Sequence, residues 1–149
     1  MEKFFKPRSV AIIGASREVH KVGFVIMKNL ILAGYPGEIY PINPNATNIL
    51  KRSCYPSVLK VPGPIDLAVI AVPAKGVLKV IDECGKKNIR HIVMITAGFS
   101  EIGDKAGEEA LIKKVKKYKM RLIGPNCLGV LDMNNKFDTL FLTRYLHCT

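Results

Sequence analysis

The chain has 149 residues, 48% of them hydrophobic and 23% charged, with a formal net charge of +11 and no Trp. These totals lie near the averages for soluble globular proteins and exclude disordered and fibrous classes, and a chain of this length buries roughly 70% of its unfolded surface, so one domain with its own core is expected. Its longest apolar runs, such as residues 67–72, fall far short of the ~20 residues of a membrane helix, and the first six residues lack an apolar signal region, so a cytoplasmic protein without a membrane partner is expected.

In chain order, apolar strand-like runs alternate with helical ones. The first is Ser9 to Ile13, followed by the turn "GAS" and by a helix predicted over Val22 to Ala33, which Gly34 closes. That helix is apolar almost all round, Lys28 and Asn29 excepted, so it is either deeply buried or part of a subunit contact. Glu38 to Ile42 is the next strand and ends in "NPN"; a short helical turn is predicted at Ser57 to Lys60, before the punctuation "VPGP". Leu67 to Val72 is a third strand. Lys75 to Lys87 is an amphipathic helix with Val77, Ile81 and Cys84 inward. His91 to Thr96 and Arg121 to Ile123 are the last strands, and between them Asp104 to Tyr118 forms a helix with acidic residues at its start and lysines at its end, which complements the helix dipole; Glu109 and Lys113 make a favourable i,i+4 pair.

Five strands, several apolar on both faces, joined by helical crossovers, predict a single α/β domain: a Rossmann-like, doubly wound parallel sheet. Ligands of such sheets bind at the carboxyl ends of the strands, where the loops "GAS", "NPN", "PAK", "AGFSE" and "GPNCLG" share one edge. The first loop joins a glycine turn to a helix N-terminus, whose unpaired N–H groups favour an anion. A dinucleotide fingerprint counted from Gly14 requires glycines at 16 and 19, where the chain has Ser16 and Val19, and the acid that holds the ribose hydroxyls of NAD is replaced by Asn43. A wider loop remains, rich in donors: Ser16, Arg17, His20 and Lys21, with Lys21 the strongest phosphate candidate.

The excess of positive charge favours an anionic partner. Its densest cluster, "KKVKKYK" at 113–119, reads as a solvated helix face, and no zinc finger or RNA motif accompanies it, so nucleic acid is not the expected partner. Cys54, Cys84, Cys127 and Cys148 lack CxxC spacing and suggest neither a metal site nor a disulfide framework. Cys127 has no assignable His or acid partner, and no catalytic residue is assigned. His91 reads as a packed or capping residue and His147 as a surface one.

Five segments in order, "VAIIGASREVHKVG", "YPINPN", "CYPSVLKVPGPIDLAVIAVPA", "VMITAGFSE" and "LIGPNCLGV", resemble the CoA-binding domain of ADP-forming acyl-CoA synthetases, relatives of the succinyl-CoA synthetase alpha subunit. The resemblance implies a Rossmann-like domain over residues 1–132 that binds CoA or acyl-CoA, with 133–149 a short tail or interdomain segment. By position it implies that Gly14, Ala15, Ser16, Lys21 and Gly23 hold the CoA phosphates and adenosine end, that Asn43 and Pro44 flank the nucleotide, and that Val72, Pro73 and Ala74 shape its wall. It further implies that Ile95, Thr96 and Ala97 line the pantetheine path and that Asn126 and Cys127 lie near the thiol end. The family's reaction converts acyl-CoA, phosphate and ADP into free acid, CoA and ATP through an acyl phosphate and a phosphohistidine. The histidine domain and the ATP-binding part have no counterpart in these 149 residues, so the expected partners are other synthetase domains or an ATP-grasp subunit, with a homo-oligomer also possible, and turnover by this chain alone is not expected. A free-standing CoA-binding regulatory protein and an NAD(P)-binding redox protein are the alternatives.

Overall fold

The computed structural model describes residues 1–142. Its strands are β1 (Ser9–Ile13), β2 (Glu38–Ile42), β3 (Asn48–Ile49), β4 (Arg52–Ser53), β5 (Leu67–Ile70), β6 (His91–Met94), β7 (Arg121–Ile123), β8 (Leu131–Asp132) and β9 (Phe137–Asp138), and its α-helices are α1 (Val22–Ala33), α2 (Ala74–Lys86) and α3 (Lys105–Lys117). Five of the strands form one parallel sheet in the order β2-β1-β5-β6-β7. The chain winds outward from β1 to β2, then crosses back to β5 and winds the other way, so the topological switch lies between β1 and β5.

Each inner strand is buried on both faces because helices cover both. Ala11, Ile13, Ala68, Ile70, Ile92 and Met94 point to one side and pack with Val77, Ile81 and Cys84 of α2 and Leu111 of α3. Their neighbours Val10, Ile12, Leu67, Val69 and Val93 point to the other, against Ile26, Met27 and Leu30 of α1 and Phe137 of β9. The period of two along each strand thus divides one apolar run between two cores.

The helix ends follow local chemistry. Asp104 caps α3, its carboxylate accepting from the Gly107 N–H at 2.9 Å. Ser57 accepts from Leu59 N–H at 3.2 Å and opens a 3₁₀ turn over Val58–Lys60, where a helical turn from Ser57 is expected from the sequence. Helix α2 begins at Ala74 and ends at Lys86, one residue earlier at each end than the sequence suggests, with Pro73 at the N-cap position and Lys87 at the C-cap. β5 and β6 are each two residues shorter than their apolar runs: the Ile95 N–H still reaches Ile70 O at 2.9 Å, but beyond that point the chains peel away into the loops of the carboxyl edge.

On α1, Gly23, Ile26, Met27, Asn29 and Leu30 are buried, whereas Ile31 and Leu32 are 37% and 58% exposed. The helix therefore has one buried side and an outer side that is apolar at those positions. On α3 the ion pair runs to the neighbouring helix, from Lys114 to Asp82, and the Tyr118 hydroxyl donates to the same carboxylate at 3.0 Å; among the described residues Glu109 and Lys113 form no ion pair with each other.

Two small hairpins complete the fold, β3 with β4 and β8 with β9. The second lies against α1, with Phe137 fully buried and its ring edge-on to Tyr35 at 5.3 Å. The side-chain amide of Asn29 donates to the carbonyls of Leu140 and Leu142 at 2.8 and 3.0 Å and fixes the following residues along the helix. At the outer edge of the sheet, Pro41 of β2 offers its carbonyl to the Tyr55 N–H at 3.0 Å, and the Asn43 N–H donates to Tyr55 O at 2.9 Å.

Candidate functional site

All five strands of the main sheet end on one edge, and the loops leaving them are tied to one another. After β1 the chain turns at Gly14, whose φ of +95° disfavours an L side chain. The turn also runs so close to the next strand that a Cβ on Gly14 would stand 2.6 Å from the carbonyl oxygen of Ala71. Ala15 is buried beneath it, and the Ser16 hydroxyl accepts from the Glu18 N–H at 3.0 Å, holding the loop open toward α1. Lys21 is the N-cap of α1, exposed and extended, with no side-chain bond to the helix. Its side chain makes no bond among the described residues, and the residue stands at the positive end of the α1 dipole, a combination that suits a phosphate.

Gly23, in the first turn of α1, is where the helix meets the strand. A Cβ there would collide with the Gly14 carbonyl oxygen and lie 2.9 Å from Ala15 Cα. The glycine missing at position 19 is thus replaced, four residues on, by one that performs the close helix-to-strand packing.

After β2, the Asn43 side chain donates from Nδ2 to Ala15 O at 2.8 Å and accepts at Oδ1 from the Asn45 N–H at 2.8 Å. An acid in its place could not donate to the Ala15 carbonyl. Pro44 beside it is exposed. Cys54, at the far side of the β3–β4 hairpin, lies against this loop with its thiol donating weakly to Asn43 O at 3.7 Å, and burial holds that thiol above its ordinary pKa.

After β5, Val72 is half-buried, Pro73 is exposed at the head of α2, and Ala74 starts that helix. After β6, Ile95 and Thr96 are buried and Ala97 is exposed. The Thr96 hydroxyl donates to Val72 O at 2.7 Å, and the Thr96 carbonyl accepts from the Asn126 N–H at 3.0 Å. The loop continues over Gly98 and Phe99, whose N–H groups both donate to the carboxylate of Glu101; that double bond-acceptance, led by Gly98, holds the Glu101 carboxyl below its usual pKa.

After β7, Asn126 is exposed with φ +55°, and the Cys127 thiol donates to Met94 O at 3.3 Å. Burial raises the pKa of Cys127, so the group is a packed thiol and not an activated thiolate.

The structure thus brings all fifteen residues singled out from the sequence to one edge, but it gives them different duties. Lys21, Pro44, Pro73, Ala97 and Asn126 are exposed; Asn43, Thr96 and Cys127 spend polar atoms on the backbone of neighbouring loops. Sequence reasoning passed over Glu101, although an acid three residues beyond Gly98 is the signal for such a loop cap, and the β3–β4 hairpin, whose two-residue strands are too short to show a period. Of the histidines, His20 is exposed beside Lys21, His91 packs edge-on to Phe4 at 5.1 Å, and His147 lies outside the described residues. A cleft of about 690 Å³ opens at the opposite edge of the sheet between Lys6, Arg8, Tyr35 and Lys136. It faces the carboxyl end of α1 and the ion-paired Asp66 and touches none of the site residues.

A doubly wound parallel sheet with a glycine turn and a helix N-terminus at its switch point defines a Rossmann-like α/β domain. Among the described residues no helix is long and apolar enough to cross a membrane. Residues 8–133 match the family model described as a CoA binding domain, and the chain belongs to that family. It is 48% identical over 143 residues to the ADP-forming acetate–CoA ligase II of Archaeoglobus fulgidus, a match that covers 95% of this chain and 21% of that protein. With the alpha subunit of the ADP-forming acetate–CoA ligase I of Pyrococcus furiosus it shares 44% identity over 147 residues, covering 95% of this chain and 32% of the other. The solved acetyl-coenzyme A synthetase 1 of Ca. Korarchaeum cryptofilum, in complex with phosphate and ADP, superposes with a TM-score of 0.92 at 42% identity, covering 94% of this chain and 30% of its own. The chain therefore spans between a fifth and a third of the length of these relatives.

Proposed function

We propose that this chain binds CoA or acyl-CoA across the carboxyl edge of its sheet and serves as the CoA-binding part of an ADP-forming acyl-CoA synthetase. The observation that carries the reading is the turn after β1: Gly14 and Gly23 clear the space, Lys21 supplies an unpaired charge, and Asn43 stands where an NAD site needs an acid. In this reading Gly14, Ala15, Ser16, Lys21 and Gly23 form the phosphate cradle, and Asn43 and Pro44 border the nucleotide. Val72 to Ala74 and Ile95 to Ala97 flank the pantetheine arm, which ends near Asn126 and Cys127.

The role of such a part in the reaction is to deliver the thiol. In the reverse direction CoA attacks an acyl phosphate, forming the thioester and releasing phosphate; in the forward direction phosphate displaces CoA. Cys127, a packed thiol, takes no covalent part. The phosphoryl donor and acceptor groups must be brought to the same place for turnover, so the partners of this chain are the remaining domains or subunits of a synthetase.

Calorimetric titration and thermal shift with CoA, NADH, NADPH and duplex DNA test the reading. CoA at 100 times its Kd raises the apparent stability by about 2.7 kcal/mol, while the other three leave it unchanged. Stabilisation by NADH or NADPH with none by CoA would overturn it.

A further inference from the structure

The bonds along the carboxyl edge fall into two groups. Asn43 ties the loop after β2 to the glycine turn after β1: its Nδ2 donates to Ala15 O, and its Oδ1 is taken by the Asn45 N–H. Thr96 ties the loops after β5, β6 and β7: its hydroxyl donates to Val72 O and its carbonyl accepts from the Asn126 N–H. Between the groups, among the described residues, the hydrogen bond is backbone to backbone, Ala71 N–H on Ile13 O at 2.8 Å, beside the close approach of Gly14 to Ala71 and to the Val72 side chain.

We propose that Asn43 and Thr96 are positioning residues, each setting the shape of one half of the crevice: Asn43 the half that receives the nucleotide, Thr96 the half that receives the pantetheine arm. The inference rests on the CoA reading given above and adds to it that these two side chains act through loop backbone, with their ligand contact secondary. Thr96 is 8% exposed, and its hydroxyl donates to Val72 O at 2.7 Å with Ile70 O a more distant acceptor at 3.4 Å. Removing that hydroxyl frees the Val72 carbonyl and lets the loops after β5 and β6 part. The hydrogen bonds that hold the turn at Gly14 do not involve Thr96: they run from the Gly14 N–H to Ile42 O and from Asn43 Nδ2 to Ala15 O. Removing the Asn43 amide has the complementary result: the glycine turn loses its brace while the Val72–Thr96–Asn126 series stays intact.

Titration calorimetry with two probes separates the halves: CoA, which spans both, and adenosine 3′,5′-bisphosphate, which has no pantetheine arm. Thr96→Val weakens CoA about tenfold, the loss expected for one hydrogen bond, and leaves the bisphosphate within about twofold of wild type. Thr96→Ser, which keeps the hydroxyl, binds both probes as wild type does, and its loss of CoA affinity would overturn the assignment even if Thr96→Val failed to fold. Asn43→Ala weakens both probes by the same factor. Equal loss of both probes in Thr96→Val, or no loss of either, would sink the division into halves. Failure of wild-type protein to bind CoA at all would instead remove the CoA reading, and the inference with it.

Discussion

Gly23 and Gly14 face each other so closely that any side chain on the first would overlap the carbonyl oxygen of the second. Backbone, not a flexible side chain, is the obstacle, so relief requires α1 to move off β1. Gly23→Ala is therefore expected to lower stability by about 1–3 kcal/mol, the usual cost of overpacking, and to weaken CoA binding because the cradle widens. Urea unfolding measures the first effect and calorimetry the second; an unchanged midpoint would show that the helix yields without cost.

The Lys21 side chain is exposed and makes no bond among the described residues, and the bonds of this residue to Glu18, Phe24 and Val25 are all backbone, so its truncation should be invisible to unfolding experiments. Lys21→Ala is expected to keep the wild-type melting temperature while CoA affinity drops about tenfold at low salt, with a shallower dependence of affinity on ionic strength. Equal CoA affinity in the variant and wild type would remove Lys21 from the phosphate cradle.

His91 opens β6, half-buried against Phe4, and its pKa is lowered, first by burial and then by the N-terminal amine, Lys3 and Arg121. The folded state thus binds its proton less readily than the unfolded chain. Stability from this residue is complete above the ordinary histidine value of about 6.5 and is lost as pH falls through the window below it. His91→Gln should flatten the stability profile in the window just below about pH 6.5. A variant that retains the wild-type slope would place the acid sensitivity elsewhere.

Phe137 lies within the core although it comes late in the chain, fully buried and edge-on to Tyr35. Phe137→Ala should cost about 3–5 kcal/mol, the range for a large aromatic removed from a packed interior. A cost under about 1 kcal/mol would mean that β8 and β9 only rest on the domain.

The five strands of the main sheet and α1 were legible because Val- and Ile-rich runs such as Leu67 to Ile70 leave no choice but burial on both faces. Where the strands stop was not: Ala71, Val72, Ile95 and Thr96 are as apolar or β-branched as the residues before them, and only the divergence of the loops ends the ladder. The place of each site residue followed from the strand-then-loop order, but its duty did not. The resemblance implies that Asn43 flanks the nucleotide; its bond to Ala15 O is a separate duty that depends on two loops whose separation no local pattern encodes. The β8–β9 hairpin escaped notice for a related reason: "MNNKF" carries turn residues, but the burial of Phe137 depends on α1, more than a hundred residues earlier.

The placement of Pro41 has a consequence for how these molecules behave when crowded. Its carbonyl already serves Tyr55, it has no amide hydrogen to offer, and the Asn43 N–H is likewise taken, so by alternation only Ile39 keeps an outward-facing backbone pair on that margin. A foreign strand would find one rung where it needs several. Growth of fibrils or swapped assemblies from this border is thereby blocked by a single imino acid and its tyrosine neighbour.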